Sequence, residues 1–186
     1  MSAALHASPV SASVAVCQPW SADDWLDAAA LLHDYVEWIR AATGFEPLDA
    51  QPELVVELAD VQNRYSRGDT MLFLARRDET AVGTIAVRFH RDGTAELKRM
   101  FVRADARGCG IADDLVRTVL CVAGATGRRL VWLDAHQGSM ERAIAVYRRH
   151  GFVETDDPPA GSGVDGFVVM ERQLTDDECD ARWTPC

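Results

Sequence analysis

Basic residues are scarce in this sequence beside the acidic ones. Its 186 residues carry 29 Asp and Glu against 19 Lys and Arg, a formal net charge of −10, and Lys98 is the one lysine. A phosphate backbone or an anionic bilayer is held by clustered Lys and Arg, so this balance argues against nucleic acid and membrane surfaces as partners. It is compatible with a cationic ligand such as an amine. The five cysteines, Cys17, Cys109, Cys121, Cys179 and Cys186, are odd in number, widely spaced and lack a Cys-x-x-Cys pair. Neither a disulfide framework nor a zinc site is indicated, no metal is expected, and a reducing cytoplasm suits the chain. No apolar run approaches the roughly 18 residues that a membrane span requires. Residues 1–13 are rich in Ala and Ser but have neither a basic start nor an apolar centre, and read as a flexible tail rather than a signal peptide. Internal repeats are absent too.

What remains, 48% hydrophobic and 26% charged, suits one globular domain over residues 14–174, followed by an acidic tail over 175–186 that contains Trp183. Val14–Gln18 reads as a short strand closed by Pro19. Trp25, Ala28, Ala29, Leu32, Tyr35, Val36 and Ile39 recur at helical spacing to about Ala42, with Ser21 or Asp23 as N-cap. Gly44-Phe45-Glu46-Pro47 breaks that helix. Pro52 opens a second, with Leu54, Val55, Leu58, Val61 and Tyr65 as its apolar stripe. Residues 71–76, 81–89 and 95–102 predict three strands, joined by Arg77-Asp78-Glu79-Thr80 and by the hairpin turn Arg91-Asp92-Gly93. A helix follows from Ile111 to Gly124 or Gly127, then a strand over 129–134, a helix capped by Ser139 and stopped by Gly151, and strands over 152–155 and 167–174. The order is β-α-α-β-β-β-α-β-α-β-β, an α/β protein. Alternation in the strand at 95–102 puts Glu96, Lys98, Met100 and Val102 on one face and Leu97, Arg99 and Phe101 on the other, unless a bulge intervenes. Three polar side chains in a central strand are costly to bury without a task or a partner.

That strand runs into Arg107-Gly108-Cys109-Gly110-Ile111-Ala112 at the start of an amphipathic helix. Two glycines permit close approach of the backbone, successive N–H groups point into the turn, and the helix start adds partial positive charge, so an anion such as a pyrophosphate is the expected guest. A P-loop would need Lys and Ser or Thr after the last glycine, where this chain has Ile111-Ala112. A dinucleotide fingerprint would need three spaced glycines and an acid about 20 residues on. Only two glycines are present, and Asp134 comes too late.

The turn instead resembles the acyl-CoA motif Arg/Gln-x-x-Gly-x-Gly/Ala of the GNAT N-acetyltransferase family, with Arg107, Gly110 and Ala112 in register. Met100-Phe101-Val102 is similar to the end of that family's fourth strand, and Ala143 to Phe152 to its Ala-x-x-x-Tyr-x-x-x-Gly-Phe signature. The resemblance implies a mixed, twisted sheet flanked by about four helices, with acetyl-CoA as cosubstrate. It implies a diphosphate on the turn from Arg107 through Gly108, Cys109, Gly110 and Ile111 to Ala112, and a pantetheine arm along the main chain near Met100 and Val102. An N–H close to Phe101 would meet the oxyanion. The implied acceptor is a primary amine of a small molecule or peptide, attacking directly in a ternary complex; a CoA-binding module without catalysis is the rival.

Tyr147 matches the tyrosine that in many relatives protonates the departing thiolate, although a tyrosine on an apolar stripe also serves as core. Glu96 matches an acid that some members use as base through a water; the alternative is a structural charge cluster with Lys98 or Arg99. His136 is a second candidate base. Cys109 is a spacer in the motif. Glu141 stands where relatives commonly carry Asn, and an ionised carboxylate cannot donate the hydrogen bond that Asn would. Arg142, Arg148 and Arg149 form a solvated face or lie near the cofactor's 3′-phosphate. By the same resemblance the acceptor site is built from residues 35–51 and 158–166, including Trp38, Phe45, Glu37, Glu46, Asp49 and Asp165, and residues 167–174 are a candidate homodimer contact.

Overall fold

The computed structural model describes residues 13–44, 46–157, 159 and 166–175. Both expected tails lie outside them except for Ser13 and Thr175, as do Cys179, Cys186, Trp183, Phe45, Asp165 and most of the loop 158–166.

A seven-stranded sheet organises the chain. Its strands are β1 (Val14–Cys17), β2 (Thr70–Arg77), β3 (Thr80–Phe89), β4 (Thr94–Val102), β5 (Leu130–His136), β6 (Val153–Glu154) and β7 (Phe167–Gln173), in the spatial order β1-β2-β3-β4-β5-β7-β6. All neighbours are antiparallel except β4 and β5. The helices are α1 (Ala22–Thr43), α2 (Pro47–Ala50), α3 (Pro52–Ala59), α4 (Val61–Tyr65), α5 (Ile111–Ala125) and α6 (Glu141–Arg149). Adjacent residues of a strand point to opposite faces, which fixes the layers. A Cβ built on Gly83 would meet Ile111 and Leu115 of α5, whereas the ring of Phe101, paired with neighbouring Thr84, meets Tyr35 and Trp38 of α1. Thus α1 and α5 cover opposite faces. Among the described residues no helix is long and apolar enough to cross a membrane.

Ser21 is the N-cap of α1. Its hydroxyl accepts from Asp24 N–H and the Asp24 carboxylate accepts from Ser21 N–H, a reciprocal box worth about 1 kcal/mol. The single second helix expected from Pro52 is instead two, α3 and α4, broken at Asp60 (φ −154°), whose side chain accepts from Asn63 N–H at 3.0 Å. A short acid that caps the next turn competes with continuation of the helix. Its stripe also differs from expectation. Val55 is exposed, and Glu57 takes a buried place beside Leu54, Val61 and Tyr65.

The strand expected at 129–134 extends to His136, and Ser139 does not cap α6. Met140 is the N-cap, without a side-chain bond, while the Ser139 hydroxyl pairs with Nδ1 of His136 at 2.8 Å. Gly151, at φ +79°, stops α6 as expected. β7 lies between β5 and β6, and β6 pairs with it only at Met170 and Glu171.

Candidate active site

Two irregularities of β4 create the site. Its parallel pairing with β5 covers only Thr94, Ala95 and Glu96, opposite Leu130, Val131 and Trp132, after which the strands part. Beyond that point β4 carries a bulge: Lys98 pairs with Ala86 but Phe101 with Thr84, three residues against two. The bulge turns Phe101 onto the face of Glu96 and Lys98, correcting the simple alternation. Arg99 takes φ +56°, a left-handed conformation that is uncommon for a long side chain.

A cavity of about 650 Å³ opens where the strands part, from Met100, Phe101 and Val102 to the turn before α5. Gly108 and Gly110 have φ +82° and +80°, and a Cβ on either would meet nothing within 4 Å, so the turn faces open space. No side chain caps α5. The N–H groups of its first turn therefore lack intrahelical acceptors and present partial positive charge. Gly108, Gly110, Ile111 and Ala112 line the cavity, whereas exposed Cys109 is not a lining residue. The Ile111 side chain packs into the core, leaving its backbone for the turn. These features fit an elongated ligand with a diphosphate at one end.

Arg107 folds back from the turn. Its Nε donates to the Val102 carbonyl at 2.9 Å, and its guanidinium stands 5.8 Å from the Trp38 ring and 6.0 Å from Phe101. That carbonyl, expected for the pantetheine, is thus engaged by Arg107. Arg149 pairs with Asp113 in the first turn of α5 at 3.0 Å, and His150 reaches the same carboxylate at 3.1 Å, so this part of the basic flank offsets an acid on the cavity wall. Arg148 pairs with Glu154, away from the cavity. Glu141 lines the cavity and is exposed.

A smaller recess, about 70 Å³, adjoins the cavity, and Trp38, Met100, Met140 and Ala143 belong to both walls. It brings together Glu96 and Tyr147, which are 51 positions apart in the chain. Tyr147 is buried edge-on against Phe152, with ring centroids 5.8 Å apart, and its hydroxyl has no hydrogen-bond partner among the described residues. Burial, with a smaller contribution from Tyr35, pushes its pKa above the usual phenol value of 10.0. Glu96 is also buried. Lys98 Nζ lies 2.6 Å from one carboxylate oxygen and His90 Nε2 3.1 Å from the other. Of the two partners expected for Glu96, Lys98 is present and Arg99 is not.

Arg99 belongs to a second cluster. Its Nε and Nη2 donate to the two oxygens of Glu57 at 3.0 and 3.1 Å, its Nη1 donates to Gln51 Oε1 at 2.8 Å, and Tyr65 donates to Glu57 at 2.5 Å. His136 is partly buried at the end of β5, edge-on to Phe167 and outside both walls, so the expected exposed-loop histidine is corrected. Trp38 lines both spaces, while Glu46 and Glu37 pair with Arg40. Among the described residues no group of three or more His, Cys, Asp or Glu is placed to hold a metal.

A mixed sheet that parts beside a glycine turn and an uncapped helix start is the acyl-CoA N-acyltransferase fold. The chain belongs to the acetyltransferase (GNAT) family, whose model matches residues 30–152. It is 34% identical over 128 residues to an IAA acetyltransferase of Azospirillum brasilense, covering 68% of this chain and 82% of that protein. It is 26% identical over 163 residues to an uncharacterized N-acetyltransferase of Schizosaccharomyces pombe, covering 87% and 93%. Among solved structures, a GNAT-family acetyltransferase of Staphylococcus aureus superposes with a TM-score of 0.70 at 19% identity, over 88% of this chain and 100% of that one. The PaiA N-acetyltransferase of Thermoplasma acidophilum, in complex with coenzyme A, superposes with a TM-score of 0.68 at 17% identity, over 87% and 99%.

Proposed function

We propose that the protein transfers an acetyl group from acetyl-CoA to a primary amine of a small molecule or peptide, by direct attack in a ternary complex in the cytoplasm. The observation that carries this reading is the meeting of two spaces at Trp38, Met100, Met140 and Ala143: one suited to a diphosphate-bearing thioester, the other holding a buried carboxylate and a buried phenol. The turn at Gly108–Ala112 holds the diphosphate through backbone N–H groups. Arg107 adds a cation once it leaves the Val102 carbonyl, and the freed edge of β4 pairs with the pantetheine as an added strand. An N–H near Phe101 stabilises the oxyanion. Glu96 takes the proton that an ammonium must lose before it can attack, and Tyr147, kept protonated by burial, donates to the leaving thiolate. The name of the Azospirillum relative supports the acetyl group, and the coenzyme A held by the Thermoplasma protein supports the cosubstrate.

Free-thiol release from acetyl-CoA in the presence of tryptamine, spermidine or a lysine-containing peptide tests the proposal. At least one amine is expected to drive thiol release, and coenzyme A is expected to raise the melting temperature, by linkage worth about 2.7 kcal/mol at a concentration of 100 times Kd. A melting shift without thiol release from any of the three overturns catalysis in favour of a CoA-binding module. No shift and no release overturns the whole reading.

A further inference from the structure

The carboxylate of Glu96 has two neighbours that bear nitrogen, and they differ in what they can do with a proton. The Lys98 ammonium, 2.6 Å from Oε1, has no lone pair and cannot accept one. The His90 imidazole, with Nε2 3.1 Å from Oε2, can. Glu96 itself is enclosed, its side chain 9% exposed, and an acceptor in the recess would cover what remains. The His90 side chain is 24% exposed and is not among the residues that line the recess.

The ring of His90 is also fixed in place. It lies over the Trp132 indole at 5.5 Å between centroids and 34° between planes. His90 N–H donates to the Thr94 carbonyl at 2.9 Å, and Arg128 Nη1 donates to the His90 carbonyl at 2.7 Å. The charged groups around it are Glu96 and Lys98 from β4, Asp92 from the hairpin and Arg128 ahead of β5; from β5 it meets the uncharged indole. A histidine held against a buried acid at one ring edge and partly exposed to solvent is a path for protons between site and solvent.

We propose that His90 is the proton exit of the active site, relaying to bulk water the proton that Glu96 removes from the acceptor ammonium. This rests on the base role proposed above for Glu96. The ammonium gives its proton to the Glu96 carboxylate, leaving a neutral amine. The resulting carboxylic acid passes the proton from Oε2 to Nε2 of His90, restoring the carboxylate and forming an imidazolium. The imidazolium loses its Nδ1 proton to water, and exchange with water returns the neutral ring to its starting tautomer. Charge and protons balance: the ammonium becomes an amine, and one proton reaches the solvent.

The test uses the full chain, acetyl-CoA and the three amines named above, with His90→Gln as the variant. Glutamine keeps an N–H for the Glu96 carboxylate but cannot carry a proton, so a histidine that merely positions Glu96 would be replaced without loss. The relay predicts that kcat of H90Q falls about tenfold, a fraction of the effect typical of a general base. It also predicts that added imidazole restores kcat in proportion to its concentration, with KM for acetyl-CoA unchanged. His90→Asn, measured alongside, must show the same buffer dependence, and melting curves of both variants separate chemistry from folding. Wild-type kcat in H90Q, or a lowered kcat that imidazole leaves unmoved, overturns the relay and leaves Glu96 standing. Full turnover in Glu96→Gln, or no turnover of any amine by the unaltered protein, overturns the base role and the relay together.

Discussion

Replacing Glu57 with Gln removes one charge from an ion pair whose two side chains are 3% and 5% exposed, with almost no other change in volume or shape. In the folded protein the Arg99 guanidinium donates two hydrogen bonds to Glu57 and a third to Gln51, and Tyr65 donates to the same carboxylate. Glutamine can accept from only one side, so Arg99 keeps its charge in a buried setting with a neutral neighbour. Breaking a buried pair in this way costs about 3–5 kcal/mol. The retained amide oxygen places E57Q near the lower figure, about 3 kcal/mol. For a chain of this length each kcal/mol moves Tm by roughly 2–4 °C, so a fall of about 6–12 °C is expected. Thermal melts of E57Q, R99M and a double E57L/R99M variant measure it, and urea melts give the free energies, with an unchanged slope showing that the unfolded state is unaltered. The double variant carries no orphaned charge, although Tyr65 loses its acceptor, and should be more stable than either single variant. An E57Q melt less than about 2 °C low, or a double variant less stable than either single one, would refute the idea that the uncompensated buried charge is the main cause of the loss.

Tyr147→Phe should lower kcat about a hundredfold with little change in KM for acetyl-CoA, measured by thiol release; equal loss in both would make the phenol a packing group instead. Gly110→Ala meets no neighbour within 4 Å but must hold φ near +80°, so it should cost about 1–2 kcal/mol in a thermal melt and weaken coenzyme A binding in calorimetry. His150 gives a pH signature. Burial holds its pKa below the ordinary 6.5 despite the Asp113 carboxylate, so as pH falls through 6.5 the unfolded chain takes up the proton first and stability present above that pH is lost. Melting temperature against pH should show that loss, and His150→Asn should flatten it.

Local chemistry makes much of this fold legible. The turn Arg107–Ala112 declares itself because glycine and a helix start have consequences within six residues, and Gly151 because a left-handed stop needs it. Two features that build the site lie beyond such reading. A bulge adds one residue without breaking the alternation of residue types, so Lys98 and Phe101 cannot be placed on one face from the order of side chains. Glu57, as an acid, belongs by type on the surface, although its spacing from Leu54 (three), Val61 (four) and Tyr65 (eight) puts it on the buried stripe. That spacing, together with an arginine in a central strand, is the available signal for the pair. The partners stand 42 positions apart, and nothing local joins them. His90 is hidden for the same reason: its importance comes from the register that sets it beside Glu96 across the hairpin and beside Trp132 of β5.

The polar residues of β4, costly in a central strand, are accounted for by one deformation. Pairing with β5 ends at Glu96, and the bulge follows at Arg99, so among the described residues the strand edge that faces the cavity has no neighbouring strand from that point on. A flat strand would zip onto β5 and close the gap. Holding Arg99 at φ +56° costs on the order of 1–3 kcal/mol, and the bidentate grip of Glu57, with Gln51 and Tyr65 around it, is what keeps the residue there. The ion pair is therefore a clamp on backbone geometry more than a source of net stability, which buried pairs seldom provide. The same bulge brings the Phe101 ring to Trp38 and Tyr35, and so joins the wall of the larger cavity to that of the recess. Lys98 and Glu96, just before the bulge, stay on the recess side, where each offsets the other's charge. Strand polarity, strand curvature and the opening of the sheet are in this way one structural fact.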